Sequence, residues 1–153
     1  MVKILLFIFI SLSVNVNADS GFLLKKINAN FNQTWYSLYN QVKKSGYQTT
    51  YLQRCDFALK QRKYESNKYR ILFFGKYENM EYLSKKYPKI VPFLPLKVVV
   101  IEEKNQTLLL ANMPNILLEI VRGGDVHIIN KWQKDMEDIF TKIQNRYKQK
   151  PPN

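Results

Sequence analysis

The chain has only one cysteine and one histidine among its 153 residues, and these shortages exclude several kinds of chemistry. A single cysteine cannot form an internal disulfide, a CxxC redox pair or a cysteine-rich zinc site, and it excludes the CxxCH motif that attaches c-type haem. The sequence also lacks a GxSxG motif, a phosphate-binding glycine loop and an HExxH motif. Serine hydrolases, nucleotide hydrolases and zinc proteases are therefore disfavoured.

Acidic residues are scarce as well, with 12 Asp and Glu against 24 Lys and Arg and a net charge of +12. The basic residues are spread over the whole chain rather than gathered in one block, which favours a general role in solubility. The alternative is attraction to an anionic membrane surface, an anionic polymer or an acidic partner protein.

Residues 1–18 have the pattern of an export signal. Lys3 provides a positive start, residues 4–14 are almost continuously apolar, and Ala18 ends a short segment suited to signal peptidase. The apolar run is too short to span a bilayer comfortably. We predict cleavage near Ala18 and a periplasmic or secreted protein beginning at Asp19. The loss of Lys3 leaves 23 basic against 12 acidic residues, a net charge of +11.

The remaining 135 residues predict one domain over 19–148, with a disordered tail at 149–153. Apolar spacing and turn residues predict the following elements: strands at 21–27, 47–54, 69–74, 96–101 and 107–112, and helices at 31–45, 77–87, 114–120 and 126–147. Asn30 and Asp125 are the expected helix caps, and 102–106 is the expected hairpin turn. Residues 55–68 fit either a short helical turn or an irregular strand.

This order of elements predicts an α+β fold. We expect a two-layer sandwich, with an antiparallel sheet of about five strands, helices on one face and a long C-terminal helix. The strand at 96–101 is apolar throughout, which places it in the interior of the sheet.

The segment 69–114, YRILFFGKYENMEYLSKKYPKIVPFLPLKVVVIEEKNQTLLLANMP, resembles the bacterial and archaeal domain of unknown function 302 family. The likeness rests on the Leu94-Pro95 step, the Val-rich strand, the acidic turn and the closing Asn-x-Pro at 112–114, and it extends over 21–147. The resemblance implies a TATA-box-binding-protein-like α+β arrangement and dimers. It implies no established activity and no catalytic residues.

His127 is the single candidate for a general base or a ligand to iron. Non-covalent haem held by His127 with Met113 or Met136 is one interpretation. However, His127 lies on the same predicted helix side as Lys131, Lys134 and Asp138, which favours a solvated surface. Met136 falls on the apolar stripe of that helix. No metal site is predicted, because no cysteine or carboxylate accompanies His127 at ligand spacing.

Tyrosine is abundant, and the nine tyrosines outside the last helix cannot all be buried. Some are expected to line an amphipathic pocket or a dimer surface. Tyr64, Tyr69, Tyr77 and His127 are the candidate ligand-binding residues. Basic and aromatic residues alternate at 60–64 and 68–70, a composition found in nucleic-acid binders. Export argues against nucleic acid as a partner, and a basic strand edge that blocks aggregation is the preferred interpretation.

The acidic pairs at 78 and 81, 102 and 103, and 135 and 138 lie beside lysines, which favours salt bridges over catalysis. No catalytic residue is therefore predicted. Cys55 is a candidate redox residue, although a buried apolar role suits it better. Asn105 lies in a glycan acceptor pattern at the predicted hairpin tip, and Asn32 lies in a shorter one inside a helix. Chance occurrence in an Asn-rich chain explains both patterns best.

The sequence thus favours a non-enzymatic periplasmic module that binds a small ligand or an envelope partner and forms a homodimer. The alternative is a haem-binding or redox accessory protein, or an enzyme, that uses His127 or Cys55. A third interpretation is an adaptor held to an anionic membrane surface by the basic excess.

Overall fold

A computed structural model describes residues 21–148. The predicted export signal with its cleavage point, and the tail at 149–153, lie outside the described residues. The strands are β1 (Phe22–Ile27), β2 (Gln48–Arg54), β3 (Tyr69–Gly75), β4 (Leu96–Glu103) and β5 (Gln106–Asn112). The helices are α1 (Phe31–Lys44), α2 (Cys55–Gln61), α3 (Tyr77–Lys86) and α4 (Val126–Tyr147), with 3-10 segments at Pro88–Phe93, Pro114–Glu119 and Gly123–Asp125.

The strands form one antiparallel sheet in the order β1-β5-β4-β3-β2. The apolar strand β4 is central, as its sequence predicts. Helices α1 and α4 contact each other and pack on one face of the sheet. Ile27, Leu72, Val98 and Leu109 are almost wholly buried on that face. The predicted α+β fold, with its five-stranded sheet and long C-terminal helix, is confirmed.

Local sequence determines the ends of α1. The Gln33 N–H donates to Asn30 Oδ1 at 3.0 Å, and the Asn30 N–H donates to the Gln33 side chain at 3.4 Å, which completes a capping box. Gly46 follows the helix with φ of 76°, a left-handed conformation that glycine adopts without strain. The chain then reverses directly into β2, so α1 and β2 lie beside each other.

One segment follows an alternative that the sequence left open, and two differ in detail from the prediction. Residues 55–68 begin with the helix α2, the first of the two alternatives left open. The hairpin turn is shorter than 102–106, because Glu103 pairs with Gln106 and leaves Lys104 and Asn105 at the turn. The helix predicted from Pro114 is a 3-10 segment, Pro114–Glu119.

Asp125 precedes α4 as predicted, but its side chain makes no capping hydrogen bond to the helix. Its carboxylate accepts hydrogen bonds from Tyr82 and Tyr87 and pairs with Lys86. These partners, on α3 and immediately after it, occupy the carboxylate oxygens that would otherwise accept hydrogen bonds from the first backbone N–H groups of α4. The residue therefore ties α3 to the start of α4.

The described helices include none that is both long enough and apolar enough to cross a membrane.

Candidate functional site

A groove of about 500 Å³ runs between α1 and the edge strand β2, and we call it the aromatic groove. Half of its lining residues are aromatic, and the side-chain polar groups are hydroxyls of threonine and tyrosine and the indole N–H of the tryptophan. The lining residues are Trp35, Tyr36, Tyr39, Thr49, Thr50, Tyr51, Leu52 and Leu72. Concave, largely apolar sites with a few polar groups are typical of ligand pockets.

The irregular pairing of β2 shapes this groove. Thr49 is opposite Phe74 and Tyr51 is opposite Phe73, so Thr50 is an extra residue at a bulge. Thr49 and Leu52 therefore both lie on the helix side of the sheet, whereas Tyr51 lies on the other side. On the opposite wall, residues 35, 36 and 39 lie on the side of α1 that borders β2.

The groove combines buried and exposed rings. Trp35 is only 7% exposed, whereas Tyr36 and Tyr51 are 66% and 63% exposed. The Tyr51 ring lies 5.9 Å from the Phe73 ring, centroid to centroid, which supports its position at the edge of the sheet. The exposed Tyr51 ring thus lies on the far side of the sheet edge, and Tyr36 is the accessible ring at the rim of the groove. An apolar floor with an accessible tyrosine at its rim suits a ligand that is flat or extended.

Basic side chains stand at both ends of the groove. The Arg70 guanidinium lies 5.5 Å from the Trp35 ring centroid, and Lys43 Nζ lies 4.5 Å from that of Tyr39. The hydrogen bond and positive charge of Lys43 lower the pKa of Tyr39. Arg70 Nε and Thr50 Oγ1 are buried atoms that have no hydrogen-bond partner among residues 21–148.

The structure does not gather the tyrosines selected from the sequence into one site. Tyr69 begins β3 and Tyr77 follows its end, so the whole strand separates them. Tyr64 follows α2 and is 64% exposed, beside an open, largely polar depression. Residues 60–64 complete α2 and the turn after it, and residues 69–70 belong to the interior strand β3. The basic segment is thus not a strand edge.

His127 is exposed in the first turn of α4, and its ring Nδ1 contacts the Gly124 carbonyl. Met136 is 2% exposed in the core and lies nine residues further along the same helix, a rise of about 13 Å. Met113 Sδ accepts a hydrogen bond from the Gln133 side chain at 3.2 Å. Nine residues are about two and a half helical turns, so His127 and Met136 lie on opposite sides of α4. Within residues 21–148, no cluster of three or more His, Cys, Asp or Glu is arranged to hold a metal ion.

Cys55 is partly buried at the start of α2, next to Tyr69. Burial and the negative charge of Asp56 raise the pKa of its thiol. A reactive cysteine needs the opposite shift, because the thiolate is the nucleophile. The environment of Cys55 therefore favours an unreactive thiol. Asn105 lies exposed in the β4–β5 turn, the position that its glycan acceptor pattern requires.

The sheet face opposite α1 and α4 carries a row of apolar side chains across four strands. Register places Leu24, Leu110, Val99 and Ile71 side by side in this row, which we call the apolar row. Leu24 is 50% exposed and the other three are partly exposed. An apolar surface of this extent is typical of a contact with another molecule.

Sequence reasoning missed the aromatic groove, although it counted Tyr36, Tyr39 and Tyr51 among the tyrosines that cannot all be buried. A usable signal was present. Tyr36 and Tyr39 lie beside the core stripe of α1 rather than on it, and Tyr51 follows in the next strand. Only the adjacency of α1 and β2 shows that these three residues border one groove.

The family model described as Domain of unknown function DUF302 matches residues 24–145 of this chain. A crystal structure of a conserved DUF302 protein from Bacillus stearothermophilus has the same fold, with a TM-score of 0.64 and 17% sequence identity. The match covers 82% of this chain and 97% of that protein. No curated protein matches this chain.

Proposed function

This chain belongs to the DUF302 family, and we propose that it is a non-enzymatic binding module whose site is the aromatic groove. The observation that carries this proposal is the composition of the groove. Its walls consist of one tryptophan, three tyrosines, two threonines and two leucines. They include no carboxylate, imidazole or thiol, the groups that most often perform acid-base or nucleophilic chemistry. The groove is therefore better suited to binding than to catalysis.

The polar groups of the groove indicate what it binds. Thr49 and Thr50 line the groove beside the rings, and Thr50 Oγ1 is buried without a partner among the described residues. Lys43 and Arg70 add positive charge at the two ends. These features suit a small ligand or a partner segment with an apolar body and neutral or negative polar groups.

The proposed module is a homodimer that associates through the whole sheet face at whose centre the apolar row lies. Five strands about 4.8 Å apart and six residues long give a sheet face of roughly 24 by 20 Å, or about 480 Å² per copy. Two such flat faces would together bury about 960 Å², and the protruding side chains would add to this area. The total is close to the roughly 1,000 Å² expected of a specific interface. Leu24→Lys should therefore yield monomers in sedimentation equilibrium, and a persistent dimer would contradict this interface.

We further propose that the module works outside the cytoplasm, in the periplasm or secreted. The support is the signal pattern of residues 1–18. An intact mass of the protein recovered from its own host should correspond to a chain beginning at Asp19. A mass that includes residues 1–18 would contradict export by a cleaved signal.

Native mass spectrometry and an absorption spectrum of the protein from its own host test the proposed function. A bound species, or a stable complex with a partner protein, is expected. Tyr36→Ala should release it, whereas Tyr64→Ala should not. These two tyrosines are matched controls, since they are 66% and 64% exposed and only Tyr36 lines the groove. A visible haem band lost on His127→Ala would instead support the haem-binding alternative.

A further inference from the structure

The two edges of the sheet are protected to very different degrees. Edge strand β1 carries Lys25 and Lys26, and α4 lies against it, with the Gln144 side chain donating to the Lys26 carbonyl at 3.5 Å. Lysines on an edge strand discourage pairing with another strand. Edge strand β2 has the sequence QTTYLQR, with one charged residue, Arg54, at its end.

The outer side of β2 is open for pairing. Among residues 21–148, β2 pairs with β3 alone and has no strand on its other side. After the bulge at Thr50, the stretch from Tyr51 to Arg54 pairs with β3 in regular register. All four of its residues are exposed. Alternate residues of such a strand direct their N–H and C=O groups outward, where an added strand would meet them.

The aromatic groove lies on the helix side of this open edge. A strand added to β2 would direct every second side chain toward the groove, where Tyr36 and the 42% exposed Leu52 would contact it. In this mode of peptide recognition, main-chain hydrogen bonds supply affinity and side-chain pockets supply specificity. The edge and the groove together provide both components.

Charge indicates the nature of the added strand. Lys43 stands at one end of the groove, and Arg54, opposite Arg70 in the pairing of β2 with β3, stands at the other. Neither Lys43 nor Arg54 forms an ion pair within the described part of the chain. The whole chain has a net charge of +12. A second copy would bring the same excess charge to the same edge, whereas an acidic segment would neutralise it.

We infer that β2 accepts an extended acidic segment of another protein as a sixth strand, with alternate apolar side chains of that segment in the aromatic groove. This inference rests on the proposed binding function and specifies its partner. It requires no movement of the core, because the strand and the groove are already formed.

The inference can be tested with three fluorescent peptides of eight residues. Their binding to the full chain, recovered from its own host, is measured by fluorescence polarisation. The parent peptide alternates glutamate with phenylalanine, and the other two carry N-methyl groups on its odd or its even backbone nitrogens. The parent peptide should bind. Methylation of one set of nitrogens, odd or even, should abolish binding, whereas methylation of the other set should leave binding nearly unchanged. Equal binding of all three peptides would overturn the inference, because a strand pairs through only one set of N–H groups.

Protein variants locate the bound peptide. Leu52→Lys should weaken binding about tenfold or more, whereas Leu59→Lys, an equally charged change at a similarly exposed leucine of α2, should have little effect. Circular dichroism establishes that both variants fold. If Leu52→Lys does not fold, Tyr36→Ala on the other wall of the groove should give the same loss. Unchanged binding by the folded groove variant would overturn the inference.

The remaining outcomes separate the inference from the proposed function. If no peptide binds but a species released by Tyr36→Ala is present in native mass spectra, the inference fails and the proposed function stands. If neither is found, both fail. A homodimer that dissociates on Leu52→Lys but not on Leu24→Lys would show that a second copy occupies β2, and it would also overturn the inference.

Discussion

The Tyr87 hydroxyl lies 2.7 Å from Oδ2 of Asp125 and so connects the end of α3 to the start of α4. The same carboxylate contacts Lys86 Nζ at 2.6 Å and accepts a hydrogen bond from Tyr82 at 3.1 Å. Together these contacts attach α3 to the long C-terminal helix, on the helix side of the sheet.

Lys86, and then Tyr87, lower the pKa of Asp125 below its usual value near 4. Because the folded pKa is the lower one, the unfolded chain binds the proton first as the pH falls. The free energy of unfolding should therefore decrease as the pH drops from about 4 through the lowered pKa. Urea unfolding at several pH values measures this decrease.

Asp125→Asn should lower the melting temperature at pH 7 and flatten that acid dependence. Asp138→Asn is the control, since Asp138 is exposed on α4 and forms no ion pair within the described residues. An acid dependence that persists unchanged in Asp125→Asn would show that other carboxylates are responsible.

Asn30→Ala should destabilise the protein by about 1 kcal/mol, because it removes the side-chain half of the capping box. Asn32→Ala changes the same residue type two positions later, on the exposed side of α1. It should be neutral or slightly stabilising, since alanine is the better helix former. Denaturant unfolding of both variants measures the difference, and equal losses would be evidence against the cap.

Two buried hydroxyls on α1 should respond in opposite ways. Ser37 Oγ lies 2.9 Å from the Tyr147 hydroxyl, whereas the fully buried Thr34 Oγ1 has no partner among residues 21–148. Ser37→Ala should cost about 1 kcal/mol, because it leaves Tyr147 without this partner. Thr34→Val keeps the shape and removes an unpaired hydroxyl, so it should be neutral or stabilising. A large loss for Thr34→Val in denaturant unfolding would contradict this assignment.

Cys55 should be a slow nucleophile in the folded protein. Burial, and then the charge of Asp56, raise its thiol pKa, so little thiolate is present at neutral pH. The rate of iodoacetamide alkylation at pH 7.5 should be lower for the folded chain than for the chain in denaturant, and it should increase as the pH is raised past 9. Faster alkylation of the folded chain would favour the redox alternative.

Sequence predicted the elements that depend on neighbouring residues. Asn30 and Gly46 mark the ends of α1 through local hydrogen bonds and backbone conformation, and the apolar spacing of α4 matches its buried stripe. These signals lie within a few residues of one another. The fold class could be predicted from such signals because each element requires an apolar face to be covered.

The candidate site could not be predicted in the same way. The bulge at Thr50 depends on pairing with β3, twenty or more residues later in the chain. The carboxylate of Asp125 was predicted as a helix cap, but partners about forty residues away in sequence bind its oxygens. Tertiary packing determines which tyrosines line the same groove, and this cannot be read from the composition.

The lysines of β1 have a consequence for behaviour at high concentration. Growth of a fibre by edge-to-edge addition needs two receptive edges on every subunit, and this sheet has one. Edge-to-edge association through β2 alone must end with its first partner, as a finite sheet of ten strands if that partner is another copy. The molecule can therefore keep one reactive edge in contact with solvent without growing a continuous sheet from edge to edge.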